Sequence, residues 1–374
     1  MPKKTLDWLQ ALRGIAALLV VLTHARFFFA GTPFMPTAEA IFRPGALGVD
    51  LFFLISGFIM VYTTMDCDGS FTYAARFWIK RLSRIWPVYV VLAIIGVQAY
   101  NLITVYADAS LWVKMIKSFF FLPVDPYQPL YYGLPYGLGW TLNFEVYFYL
   151  VFGLSMLAGR RWRWLVFFGW IGFTLIALPL LTRGMVTLDV QHDYHYRISY
   201  LNQVVNPIIW TFALGVIAGL VYLSPIQMPD SMATRLFVVS AVTTAVWWAY
   251  SGMAMFHGIG EWGGPLAVAF VILAIATKTV ELRIPSQLLW LGEVSFSLYL
   301  VHPIAQALIT RTLNGIGRKD LTQTWSHVFA TTIFALVLAA ISHKLLEQRL
   351  AEYIKNKMLR AVRANQTISY PTPA

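Results

Sequence analysis

Apolar residues along this chain run together instead of alternating with polar ones. Ten such runs stand out, at about 8–30, 46–65, 86–106, 139–158, 164–182, 204–223, 235–254, 264–281, 287–309 and 326–346. A helix needs about 20 mostly apolar residues to cross the hydrocarbon core, whereas the strands of a barrel show as alternating segments of about ten. The pattern therefore predicts an all-α integral membrane protein, a polytopic bundle of about ten transmembrane helices. The segment 110–122 (SLWVKMIKSFFFL) is shorter and basic and reads as an interfacial helix. With no long linker and no internal repeat, a single transmembrane domain is expected over 1–346. A basic cytoplasmic tail follows over 347–374, its first part on the anionic inner leaflet and its end, QTISYPTPA, unstructured.

Basic residues set the expected orientation. With the N-terminus inside, ten spans return the C-terminus inside, and 19 of the 28 Lys and Arg then fall on the inner side. They include Lys3, Lys4, Arg76, Lys80, Arg81, Arg84, Arg160, Arg161, Arg163 and the run from Lys344 to Arg363. This bias puts both termini in the cytoplasm. It also accounts for the net charge of +11 without nucleic acid, which is not expected as a partner. The first run is read as an uncleaved span, because Arg13 interrupts it and Phe27, Phe28 and Phe29 continue past Thr23-His24-Ala25.

Composition agrees: 58% of the 374 residues are hydrophobic and 12% charged, against about a quarter charged in a soluble domain. The one cysteine, Cys67, excludes an internal disulfide and a cysteine metal cluster. No metal is expected, since His192, Asp193 and His195 in an external loop make a poor zinc set. GxSxG, HExxH, P-loop and GxGxxG motifs are absent, which removes the usual hydrolase, protease and nucleotide-binding readings.

Polar residues inside the spans carry the chemistry, since a charge at the bilayer centre costs at least about 2.5–3.5 kcal/mol. Arg13 and His24 are eleven residues apart, about 16 Å and just over three turns, so they share one face of the first helix. Glu145, in WTLNFEVYFYL, counts to nearly the depth of His24 and is expected to orient or charge-stabilise its imidazole. His302, in SLYLVHP, falls in the outer half beside Pro303, which is expected to bend its helix. Arg81 and Arg84, three apart, form a fork suited to phosphate, although the positive-inside bias explains them equally well. Asp50 opens the second span near the outer surface. Ser56-Gly57 and the Gly215/Gly219 pair are read as close helix contacts.

Taken in order, LRGIAALLVVLTH, GVDLFFLISGF, FWIKRLSRIWPVY, WTLNFEVYFY and LGEVSFSLYLVHP resemble the motifs of the integral-membrane acyltransferase-3 family, and they span nearly the whole chain. The chain is most similar to the compact bacterial exopolysaccharide O-acetyltransferases, without the extra span and esterase-like domain of longer members. The resemblance implies transfer of an acyl group, typically acetyl from cytoplasmic acetyl-CoA, to a hydroxyl of an extracytoplasmic or lipid-linked saccharide at a bacterial inner membrane. Arg13, Arg81 and Arg84 would bind the donor, with His24 as general base or acyl acceptor and Glu145 beside it. Asp50, Trp140, Tyr149, Tyr299 and His302 would lie toward the substrate. Partners would be acyl-CoA, the saccharide and membrane lipids, with self-association left open. A transporter or flippase using the same Arg, His and Glu as a relay is the alternative, but its paired broken halves are not found.

Overall fold

A computed structural model describes residues 6–100, 109–125 and 127–368. Lys3, Lys4, residues 101–106 of the third apolar run and residues 369–374 of the tail lie outside them. Among the described residues every regular element is helical. In chain order the helices are α1 (Asp7–Ala25), α2 (Met35–Phe42), α3 (Leu47–Thr63), α4 (Phe71–Tyr100), α5 (Ala109–Phe119), α6 (Gly139–Met156), α7 (Gly159–Gly172) and α8 (Leu178–Arg183). They continue with α9 (Ser199–Val204), α10 (Ile209–Leu223), α11 (Met232–Tyr250), α12 (Gly263–Ala276), α13 (Ser286–Glu293), α14 (Ser295–Gly315), α15 (Trp325–Ser342) and α16 (Glu352–Ile368). π-helical turns at Phe173–Ala177 and His343–Ala351 join α7 to α8 and α15 to α16.

The described part of each of the ten apolar runs falls on a helix, but the expected count of about ten spans is not reproduced. Among the described residues six helices are long and apolar enough to cross a membrane: Asp7–Phe29, Met35–Thr63, Phe71–Ala99, Gly159–Arg183, Met232–Tyr250 and Trp325–Val362. A seventh span results if α13 and α14, bent by 72° at their junction, are taken together. The helices α10 and α12 are apolar but short, with 15 and 14 residues; at about 1.5 Å per residue each reaches only about 20 Å. The run at 139–158 forms α6, whose Asn143, Glu145, Tyr147 and Tyr149 dilute its apolar character. The helix α14 continues through Pro303, and the sharp break lies instead at Val294. The tail is helical across residue 346, since α15, the π turn and α16 follow one another without a gap.

Small residues let the helices approach closely. A Cβ on Gly57 would lie 2.4 Å from Phe212 O, and one on Gly215 would lie 2.2 Å from Leu54 O, so α3 and α10 meet backbone to backbone. The rings of Phe148 and Phe212 stack beside this contact with centroids 3.6 Å apart. Gly14 and Gly292 do the same between α1 and α13. The outer surface is apolar: Phe329, Ile333, Val337 and Ile341 form an exposed i, i+4 stripe along α15, the face a bundle turns to lipid.

Candidate active site

Positively charged side chains from two helices converge on one cavity of about 760 Å³, its open mouth included. Arg13 comes from α1, and Arg81 and Arg84 come from neighbouring positions one turn apart on α4. Phe52, Phe53 and Ser56 of α3, Thr141, Glu145 and Tyr149 of α6, and Tyr299 of α14 complete the part of the wall that matters here. Glu145 is held through one oxygen: Oε1 accepts from Ser56 Oγ at 3.1 Å and from the Tyr149 hydroxyl. Among the described residues none of the three guanidinium groups takes part in an ion pair. Arg13 bonds Gln10 Oε1 at 3.3 Å, and Arg81 donates to Thr63 Oγ1 at 3.1 Å while lying over the rings of Phe77 and Tyr149. The cavity thus holds three cations against one carboxylate, in surroundings that strengthen attraction for an anion.

A histidine cluster adjoins the cavity. His24 and His302 pack with ring centroids 4.8 Å apart, and neither lines the arginine cavity. His24 Nδ1 lies 2.9 Å from Val20 O, and His302 Nδ1 lies 2.8 Å from Tyr299 O. A carbonyl oxygen only accepts, so each Nδ1 carries the proton and each neutral ring keeps its lone pair on Nε2. The buried His302 Nε2 has no hydrogen-bond partner. Tyr299 links the two regions, because its ring faces the cavity while its carbonyl holds His302. Its hydroxyl is fixed by Thr141 Oγ1 at 2.8 Å and Leu138 O at 3.1 Å.

The ten sequence-derived site residues therefore divide in two. Arg13, Arg81, Arg84, Glu145, Tyr149 and Tyr299 share the cavity. The other four, His24, His302, Asp50 and Trp140, stand outside its wall. Contrary to the expectation from the sequence, among the described residues no hydrogen bond or ion pair joins Glu145 to His24. Equal depth by residue counting gives a height in the bundle but not a direction around it, and Ser56 and Tyr149 turn the carboxylate toward the arginines.

Comparison with known proteins identifies the family of the chain. The family model described as an acyltransferase domain matches residues 6–344. The chain belongs to the acyltransferase-3 family. It is 30% identical over 305 residues to the exopolysaccharide production protein ExoZ of Rhizobium meliloti, covering 79% of this chain and 87% of that one. It is 26% identical to nodulation protein 10 of Rhizobium leguminosarum, over 90% of this chain and 91% of the relative. The acyltransferase MdmB of Streptomyces mycarofaciens is 25% identical, over 88% and 86%. No solved structure matches. This membership makes the protein an acyltransferase.

Two groups of interacting residues escaped the reading of the sequence. His257, in the loop after α11, bonds Asp50 across 207 positions of sequence. Glu347, in the π turn after α15, accepts from the Ser297 hydroxyl at 2.6 Å and pairs with His343 at 3.2 Å. Asp50 and His257 have no local spacing to join them, whereas His343 and Glu347 stand four apart, a spacing that could have marked the pair. Among the described residues no three His, Cys, Asp or Glu side chains gather as a metal set.

Proposed function

We propose that this acyltransferase moves an acyl group, acetyl in the simplest case, from cytoplasmic acyl-CoA to a hydroxyl of an extracytoplasmic or lipid-linked saccharide. The observation that carries the reading is the cavity lined by Arg13, Arg81 and Arg84 with no ion-pair partner among the described residues. CoA is an anion with several phosphate groups, and guanidinium forks bind phosphate oxygens in bidentate fashion. The positive-inside bias supports placing this cavity toward the cytoplasm, where acyl-CoA is made, with both termini on that side in a bacterial inner membrane. The relatives named for exopolysaccharide production and acyl transfer support a saccharide as acceptor.

His24 stands at the end of the path. Its Nε2 lone pair, fixed by the Val20 bond, either takes the hydroxyl proton or receives the acyl group. Donor phosphates held by the arginines would leave the pantetheine arm to reach past Tyr299 toward the histidines. The acceptor would meet the thioester there without either substrate crossing the membrane completely.

The test is transfer of radiolabel from acetyl-CoA to the host's saccharide lipids, by membranes carrying the wild-type protein or His24→Ala. Label in saccharide with the wild type, reduced about 100-fold or more in a variant that folds equally well, is expected for an imidazole acting in the chemistry. Equal labelling by both would remove His24 from the mechanism.

A further inference from the structure

A second carboxylate and imidazole lie at the His24 end of the bundle, apart from the arginine cavity. Asp50 is completely buried in the first turn of α3, where the helix dipole favours a negative charge. Both its oxygens are used: Oδ2 lies 2.7 Å from His257 Nδ1, and Oδ1 accepts the Gly258 backbone N–H at 2.9 Å. The carboxylate accepts, so His257 Nδ1 donates and the lone pair sits on Nε2. Among the described residues that Nε2 has no hydrogen-bond partner. The His257 ring lies 5.5 Å from the indoles of Trp140 and Trp262, and the first turn of α3 packs on α1 beside His24: a Cβ on Gly48 would lie 3.0 Å from the side chain of Val20, whose carbonyl accepts from His24.

The loop is built around this pair. Gly258 has φ +101°, a conformation that suits glycine, and a Cβ on Gly263 would lie 3.1 Å from Asp50 Oδ1. Gly263 N–H closes back on Gly258 O at 2.8 Å, and Trp262 Nε1 donates to Ala254 O at 3.1 Å. Tying a loop to α3 needs only donors to the carboxylate, which Gly258 already supplies in part. Orienting an imidazole with its basic nitrogen unspent is what a carboxylate–histidine pair does in proton transfer.

We propose that His257, held by Asp50, is the base that takes the proton of the acceptor hydroxyl, leaving His24 to carry the acyl group. The proposal rests on the acyl-transfer reading above. His24 Nε2 attacks the thioester carbonyl; the C–N bond forms, the C–S bond breaks, and CoA leaves as the thiolate. The saccharide oxygen then attacks the same carbon. Its proton passes to His257 Nε2, the O–C bond forms, and the C–N electron pair returns to His24. His257 gives its proton to water and the thiolate takes one up, so the net products are ester and CoA thiol. Asp50 is a positioning residue that keeps the proton on Nδ1.

The experiment uses the full chain in proteoliposomes with radiolabelled acetyl-CoA and an extract of the host's saccharide lipids. Label on the quenched protein and label on saccharide are measured separately. His257→Asn retains a donor to Asp50 and removes the base. The expected result is an unchanged KM for acetyl-CoA, about 100-fold or more loss of kcat into saccharide, and label accumulating on the protein. Asp50→Asn carries the same test should His257→Asn not fold. Gly258 N–H needs the amide oxygen, which turns Nδ2 to His257, moves the ring proton to Nε2 and blocks the base, again with label held on the protein. Wild-type transfer by a folded His257→Asn would overturn the proposal and reduce the pair to a loop clamp. A wild-type protein that moves no label would instead remove the acyl-CoA reading beneath it.

Discussion

Glu145 is the carboxylate that tempers the arginine cavity, and its hydrogen bonds to Ser56 and Tyr149 hold it in the wall. Replacing it by glutamine keeps the shape and removes the carboxylate charge that lines the cavity with the three arginines. Glu145→Gln is therefore expected to tighten CoA binding several-fold, measured as Kd by titration in detergent; weaker binding would mean that the carboxylate serves the donor in another way. Arg81→Gln and Arg84→Gln should each raise KM for acetyl-CoA about 10-fold or more. Loss of a charged hydrogen bond costs about 1.5–3 kcal/mol, and about 1.4 kcal/mol corresponds to a factor of ten. Steady-state kinetics checks this, and an unchanged KM would place the phosphates elsewhere. At this scale the sequence exposed residues whose spacing on a single helix carries meaning, such as Arg81 with Arg84 and Arg13 with His24. It did not expose His257, because the partner that gives His257 its meaning sits 207 positions away. It misdirected Glu145, because depth along a helix says nothing of which neighbour that depth faces.

Among the elements, α3 and α10 form the most extensive contact, and their glycines decide it. A side chain at Gly215 would begin 2.2 Å from Leu54 O, a backbone atom that cannot turn aside. Gly215→Leu should destabilise the bundle by at least about 1–3 kcal/mol, seen as a lower Tm of the purified protein. An unchanged Tm would show that the two helices separate without cost. This contact was readable from small residues four apart, as were all ten helical segments from their apolar runs. The number of full spans was not. An apolar run records burial in lipid or protein alike, and α10 and α12, short and packed within the bundle, are apolar without the length to cross. The break between α13 and α14 was likewise hidden, since the junction residue Val294 is neither proline nor glycine, while α14 runs on through Pro303.

Over the whole molecule, acyl transfer from cytoplasmic acyl-CoA requires the arginine cavity on the cytoplasmic side and the histidine cluster toward the other. The buried Cys67 offers little background for thiol labelling. Single cysteines at the exposed positions Arg161 and Gln191 should thus report sidedness cleanly. An impermeant maleimide should label Gln191→Cys in cells with a permeable outer layer, and Arg161→Cys only in inverted vesicles. The reverse pattern would invert the bundle and detach the cavity from cytoplasmic acyl-CoA. The most direct measurement is the binding of CoA itself to the purified, reconstituted protein, compared with pantetheine, which lacks the nucleotide and its phosphates. The account predicts saturable binding of CoA that weakens with salt, at least about 10-fold weaker binding to Arg81→Gln or Arg84→Gln, and little binding of pantetheine. Equal binding of CoA and pantetheine, or variants that bind CoA as the wild type does, would contradict it.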